Sequence, residues 1–199
     1  MGALHNSPPK YEREDAVPRP LIYMSMGTIE SQDKTLFNRL LSLISDISEY
    51  DFIVSLGGQD IEVNSENLPN NISVYASVDQ KSILRKASAF ISHGGQNSVN
   101  ESLFFGVPLL ILPRTDERRL IAETIESFGA AFVLDDKRMN GIQFREALLR
   151  LVNEPDLANK ASSLGDSLRL AGGVNRACTE IETYLVNHKT ICHQQEGTV

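Results

Sequence analysis

The segment Ile91-Ser92-His93-Gly94-Gly95-Gln96-Asn97-Ser98-Val99-Asn100-Glu101-Ser102-Leu103 concentrates most of the chain's candidate chemistry. It reads as a strand end, a turn and the start of a helix. The adjacent Gly94 and Gly95 remove Cβ atoms where a ligand would approach the backbone. A helix opening there offers N–H groups without intrahelical partners and the positive end of its dipole, a combination suited to phosphate. Asn97 and Ser98 fall in the first turn and add side-chain donors. Glu101, four residues after Asn97 and three after Ser98, lies on the same face one turn deeper, where a carboxylate can accept from a ribose diol. An anion at the tip and a diol one turn in are the two halves of a nucleoside diphosphate. Each residue alone has an ordinary alternative. Gly-Gly marks turns, Asn97 or Ser98 can cap a helix, Glu101 can be a solvated charge and His93 can be structural. Their coincidence on one helix tip favours the site.

The elements that must position this tip follow from hydrophobic periodicity. Short apolar runs at 21–24, 52–56, 72–75, 89–92, 108–112 and 131–134 read as strands. Between them lie amphipathic patterns, beginning with Leu36, Leu40, Leu41, Ile44 and Ile47 and continuing at 81–87, 96–105 and 116–128. Three further helical patterns follow, at 141–153, 156–170 and 174–186. Strands apolar throughout and separated by helices predict an α/β fold, a doubly wound, Rossmann-like parallel sheet in a single domain over 21–186. Ligands of such sheets bind at the carboxyl ends of the strands, where strand order reverses. Residues 1–20, with Pro8, Pro9, Pro18 and Pro20, read as a linker, and 187–199 as a polar tail.

Net charge of −7 excludes general attraction to nucleic acid, so an anion must be held by local donors. No stretch approaches the ~20 apolar residues of a membrane span, and the first twenty residues carry no apolar run. Cys178 and Cys192 lack metal-ligand spacing and read as free thiols, so a cytoplasmic protein is expected. Asp60-Ile61-Glu62 and Asp135-Asp136 read as loop charge, and His188, Cys192 and His193 as solvated tail. The expectation is therefore no metal and no cofactor.

His93-Gly94-Gly95-Gln96-Asn97-Ser98, then Glu101, Gly106-Val107-Pro108-Leu109 and Pro113, resemble the donor signature of the macrolide and UDP-glucuronosyl/glucosyl glycosyltransferases of the GT-B fold. Ser25-Met26-Gly27-Thr28 is similar to that family's Ser-Leu-Gly-Thr, and the resemblance spans Gly2 to Tyr184. It implies the C-terminal, donor-binding half of a GT-B enzyme. His93, Gly94, Gly95, Asn97 and Ser98 would bind the diphosphate, Glu101 the ribose, and Ser25, Gly27 and Thr28 would flank the phosphates. Val78 and Gln80 would meet the base, although Asp79 stands where the family has proline and equally suits a helix N-cap. Asp116, Glu117 and Arg118 fall where the family binds the sugar. Arg118 replaces a glutamine and can only donate, which points to a sugar other than plain glucose. Asp116 and Glu117 alternatively just open a helix, where carboxylates favour the dipole.

The implied reaction is inverting transfer from a UDP- or dTDP-sugar to a small-molecule hydroxyl. Fixed donors would stabilise charge on the leaving diphosphate, with His93, if protonated, adding a charge-assisted bond. The family's general base belongs to an N-terminal acceptor domain that these residues do not supply. The expected partners are thus the nucleotide sugar and that domain, or a separate acceptor subunit, with 1–20 as former interdomain linker. The alternative is a non-catalytic nucleotide-sugar-binding module. A nicotinamide-dependent oxidoreductase would need Gly-x-Gly-x-x-Gly after the first strand, which Ser25-Met26-Gly27-Thr28-Ile29-Glu30 does not supply. A sugar-nucleotide epimerase would place further acids and a second histidine in a complete two-domain chain.

Overall fold

A computed structural model describes residues 19–27, 33–58 and 67–192, with side chains through 188. Thr28, Asp60-Ile61-Glu62, His193 and residues 1–18 of the expected linker lie outside the described residues. Strands β1 (Leu21–Ser25), β2 (Asp51–Ser55), β3 (Ile72–Tyr75), β4 (Ala89–Ser92), β5 (Leu109–Ile111) and β6 (Ala131–Val133) form one sheet in the order β3-β2-β1-β4-β5-β6. Every pairing is parallel. The doubly wound Rossmann-like fold expected from periodicity is the fold observed. Strand order reverses between β1 and β4, so the crevice above their carboxyl ends is where such a sheet receives ligands.

Helices α1 (Lys34–Ser45), α2 (Gln80–Leu84), α3 (Gln96–Phe104), α4 (Asp116–Ser127), α5 (Gly141–Asn153), α6 (Pro155–Leu170) and α7 (Gly173–Cys192) complete the described chain. On one face of the sheet Ile22, Met24, Val54 and Ile91 pack with Phe37 and Leu40 of α1 and Phe144 and Leu148 of α5. On the other, Tyr23, Ile53, Phe90 and Ile111 pack with Leu84 of α2, Val99 and Leu103 of α3 and Ala122 of α4. Burial on both faces explains why the strands are apolar throughout instead of alternating.

Two boundaries differ from the sequence reading. Helix α2 begins at Gln80 because the Asp79 carboxylate accepts from the Lys81 N–H at 3.2 Å, and it ends after five residues. Helix α7 runs to Cys192, through the first half of the segment expected to be a polar tail. Polar composition does not end a helix; Gly or Pro does, and residues 187–192 contain neither. Within α7, His188 bonds the Tyr184 carbonyl at 3.0 Å and stacks on the Tyr184 ring, so it is a helix-surface residue. Among the described residues no helix is long and apolar enough to cross a membrane.

Candidate functional site

Three neighbouring strands end in the same three-residue turn. Ser25-Met26-Gly27, Ser55-Leu56-Gly57 and Ser92-His93-Gly94 follow β1, β2 and β4, and the pairing register sets Ser25 beside both Ser55 and Ser92. In each turn the serine hydroxyl accepts from the glycine N–H two residues on, at 3.4, 3.4 and 3.2 Å. Each glycine has positive φ, at 71°, 68° and 85°, a conformation that L side chains seldom adopt. The middle residue is buried in all three turns, but only in the third is it polar.

His93 is 7% exposed, and its ring lies between two glycines. A Cβ on Gly27 would stand 2.7 Å from His93 Cε1, and one on Gly95 would stand 2.5 Å from Nε2. A Cβ on Gly94 would meet Ile111 at 2.8 Å. These glycines thus make room for the protein's own side chains, His93 above all, a role that stands beside the ligand approach expected of them. Burial holds the His93 pKa below the ordinary histidine range, with the Ser25 backbone acting in the opposite direction. The folded chain therefore favours neutral imidazole.

Helix α3 starts from Gly95 with no side-chain cap. Four other helices are capped, by Asp33, Asp79, Thr115 and Asn140, and α6 carries Pro155 in its first turn. The first-turn N–H groups of α3 thus face the crevice without a capping oxygen of their own, the arrangement that receives an anion. A cavity of about 460 Å³ lies in front of this tip. Gly95, Gln96, Asn97 and Ser98 form its α3 wall, and Ser25, Gly27 and His93 its back. Ser77, Val78 and Gln80 close the α2 side, and Tyr23, Ser55 and Gly57 the β2 side.

Glu101 sits one turn below the tip and joins the cavity through Gln80. The Gln80 Nε2 donates to Glu101 Oε2 at 2.8 Å and to Ser98 Oγ at 3.4 Å, and Lys81 Nζ stands 3.7 Å from Glu101 Oε1. The Tyr23 hydroxyl donates to Gln80 Oε1 at 3.3 Å. Residues expected to meet the base and the ribose are thus one hydrogen-bonded group. Tyr23, Ser55, Gly57, Ser77 and Gln96 were not expected at the site; the recurrence of Ser-x-Gly points to Ser55 and Gly57 only once the pairing register sets those turns side by side.

The sugar-side expectations are not gathered in the same way. Asp116 and Glu117 are exposed in the first turn of α4, where Thr115 caps the helix, and none of Asp116, Glu117 or Arg118 lines the cavity. Arg118 is nearest. Its backbone carbonyl and Cβ stand 3.5 and 3.6 Å from where a Cβ on Gly94 would be, and burial lowers its guanidinium pKa. The preceding loop is fixed by Arg114, which pairs with Asp33 at 2.8 Å and Asp136 at 3.5 Å, while Arg39 bonds the Asp136 and Met139 carbonyls. Asp136, expected as loop charge, is instead a buried ion-pair partner. Among the described residues no three His, Cys, Asp or Glu side chains group as a metal site would require.

The chain is thus a doubly wound parallel α/β fold with an uncapped helix tip at its topological switch point. The profile of the erythromycin biosynthesis protein CIII-like C-terminal domain matches residues 39–173, and the chain belongs to this family of macrolide and UDP-glycosyltransferase domains. An uncharacterized UDP-glucosyltransferase of Bacillus subtilis, YojK, is 32% identical over 161 residues, which are 81% of this chain and 40% of the relative. The glycotransferase of kitacinnamycin superposes with a TM-score of 0.79 at 24% identity, over 90% of this chain and 46% of that one. The spinosyn rhamnosyltransferase SpnG, solved with thymidine diphosphate, superposes with a TM-score of 0.69 at 18% identity, over 77% of this chain and 42% of that one. The chain spans less than half the length of each of these proteins.

Proposed function

We propose that this chain is the donor-binding half of an inverting, cytoplasmic glycosyltransferase, and that its cavity takes a UDP- or dTDP-sugar. The diphosphate lies at the α3 tip, bonded by the backbone of Gly95 and the first turn, by Asn97 and Ser98, and by the neutral His93 imidazole. Ser25 and Gly27 flank it. Glu101 accepts from the pentose hydroxyls, Val78 and Gln80 meet the base, and the transferred sugar extends toward the loop carrying Asp116, Glu117 and Arg118. In transfer, an acceptor oxygen forms a bond to the anomeric carbon as the bond to the diphosphate oxygen breaks. The acceptor's proton passes to a base on an N-terminal acceptor domain or separate subunit. Charge builds on the departing diphosphate, and donors already aimed at it lower the barrier without reorganising. No metal or cofactor is required for that role.

The observation that carries this reading is the uncapped α3 tip facing a cavity beside the Gln80–Glu101 pair. Calorimetric titration with UDP, dTDP and their hexose conjugates tests it. His93→Ala and Glu101→Ala should each weaken binding by roughly 1–3 kcal/mol, the value of a hydrogen bond to a charged or buried partner. The chain alone should bind donor and transfer nothing. Unchanged affinity in both folded variants would show the site to be misplaced.

A further inference from the structure

Tyr23 is an ionisable side chain, buried in the sheet beneath the cavity, to which the donor-binding reading gives no role. It is 1% exposed, its ring stacks on Phe90 with centroids 4.7 Å apart, and its hydroxyl reaches the cavity floor. A phenol has one proton to donate and lone pairs to accept. The donated proton goes to Gln80 Oε1 at 3.3 Å. The Ser25 and Ser55 hydroxyls are neighbours of the phenol. Ser25 Oγ in turn accepts from the Gly27 N–H at 3.4 Å.

These bonds all run one way. From the Tyr23 hydroxyl they pass to the Gln80 carbonyl oxygen, and from the Gln80 amide to Glu101 Oε2 at 2.8 Å. The Gln80 carboxamide is held at both ends. Turned over, it would set its carbonyl oxygen against a carboxylate, which can only accept. The phenol anchors the carbonyl end of the amide, and the amide holds the Glu101 carboxylate. Glu101 Oε1 is left with only the exposed Lys81 ammonium at 3.7 Å, and keeps lone pairs for a ligand.

We propose that Tyr23 is a positioning residue for pentose recognition: its hydroxyl orients the Gln80 carboxamide, which holds the Glu101 carboxylate ready for the sugar hydroxyls of the nucleotide. The proposal rests on the donor-binding reading above and adds a discriminating element to it. Tyr23→Phe keeps the ring, the stacking and the cavity shape and removes one hydroxyl. The loss then falls on the pentose hydroxyls and leaves the diphosphate contacts intact.

The experiment titrates the chain with whichever of UDP or dTDP binds more tightly and with the same nucleotide lacking its pentose hydroxyls. Wild type should prefer the hydroxylated ligand. In Tyr23→Phe that ligand should weaken roughly three- to tenfold, the worth of one hydrogen bond, while the deoxygenated analogue changes little, so the preference collapses. Gln80→Met should produce the same collapse by a route that leaves the sheet untouched, and the double variant should be no worse than the weaker single. A preference that survives in both variants, or equal weakening of both ligands, overturns the role of Tyr23 while the donor site stands. If wild type binds neither nucleotide, the donor-binding reading falls and this inference with it.

Discussion

After β4, His93 occupies the position that Met26 and Leu56 occupy after β1 and β2, between a strand-end serine and a glycine of positive φ. A polar ring in a slot built for an apolar side chain has a thermodynamic signature. Its folded pKa lies below the ordinary value of 6.5, so the unfolded chain takes up a proton first as pH falls. The stability tied to neutral His93 is complete above that ordinary value and is lost as pH drops through it toward the folded pKa. His93→Gln has no such proton to bind. Between about pH 7.5 and 5.5, the urea midpoint of wild type should therefore fall further than that of the variant. Equal falls would mean that the ring is solvated. The helix tip that faces the cavity was legible because its residues are contiguous, with a histidine, glycines, polar side chains and a carboxylate within nine residues of one strand-helix junction. Tyr23 and Ser55 were not, because a hydroxyl in an apolar strand reads as strand, and only the pairing register brings Ser25 and Ser55 side by side.

At the scale of elements, helix α3 carries the site on its first two turns, and helix α6 holds its far end. Gly165 of α6 lies against the Leu103 carbonyl so closely that an added methyl group would collide with backbone. Arg169 of α6 bonds the Phe104 carbonyl, and its guanidinium stands 5.5 Å from the Phe104 ring centroid. Backbone cannot yield as a flexible side chain can, so Gly165→Ala must separate the two helices. The expected cost is about 1–3 kcal/mol, with Tm falling about 2–4 °C for each kcal/mol. Because α3 moves with it, nucleotide affinity should fall in the same variant although residue 165 is remote from the cavity. A melting temperature equal to wild type would show that the contact is slack. Helix lengths and the sheet order's class were readable from periodicity. The end of α7 was not, because polar residues continue a helix as readily as they form a tail, and neither was the end of α2, which stops at Leu84, short of the periodicity.

Across the whole molecule the charge is −7, yet the ligand assigned to it is an anion. Long-range attraction therefore cannot supply the affinity, and the net field opposes approach. What remains is a set of short-range, uncharged donors: the first-turn N–H groups of α3, Asn97, Ser98 and a neutral His93. Lys81 is drawn to Glu101 and Arg114 to Asp33 and Asp136, so their charges are already compensated by neighbours. Hydrogen bonds from fixed dipoles act within a few ångströms, inside the screening length at any ordinary ionic strength. Repulsion by the distributed negative charge acts over longer distances and is removed by salt. The two effects predict an unusual salt response for a phosphate ligand. Between about 50 and 500 mM NaCl, as the screening length shortens from roughly 14 to 4 Å, the Kd for UDP or dTDP should change by less than about threefold or tighten. Binding held by ion pairs would instead weaken steadily over that range. A tenfold loss would mean that cationic side chains, Arg118 first among them, carry the diphosphate in place of the helix tip.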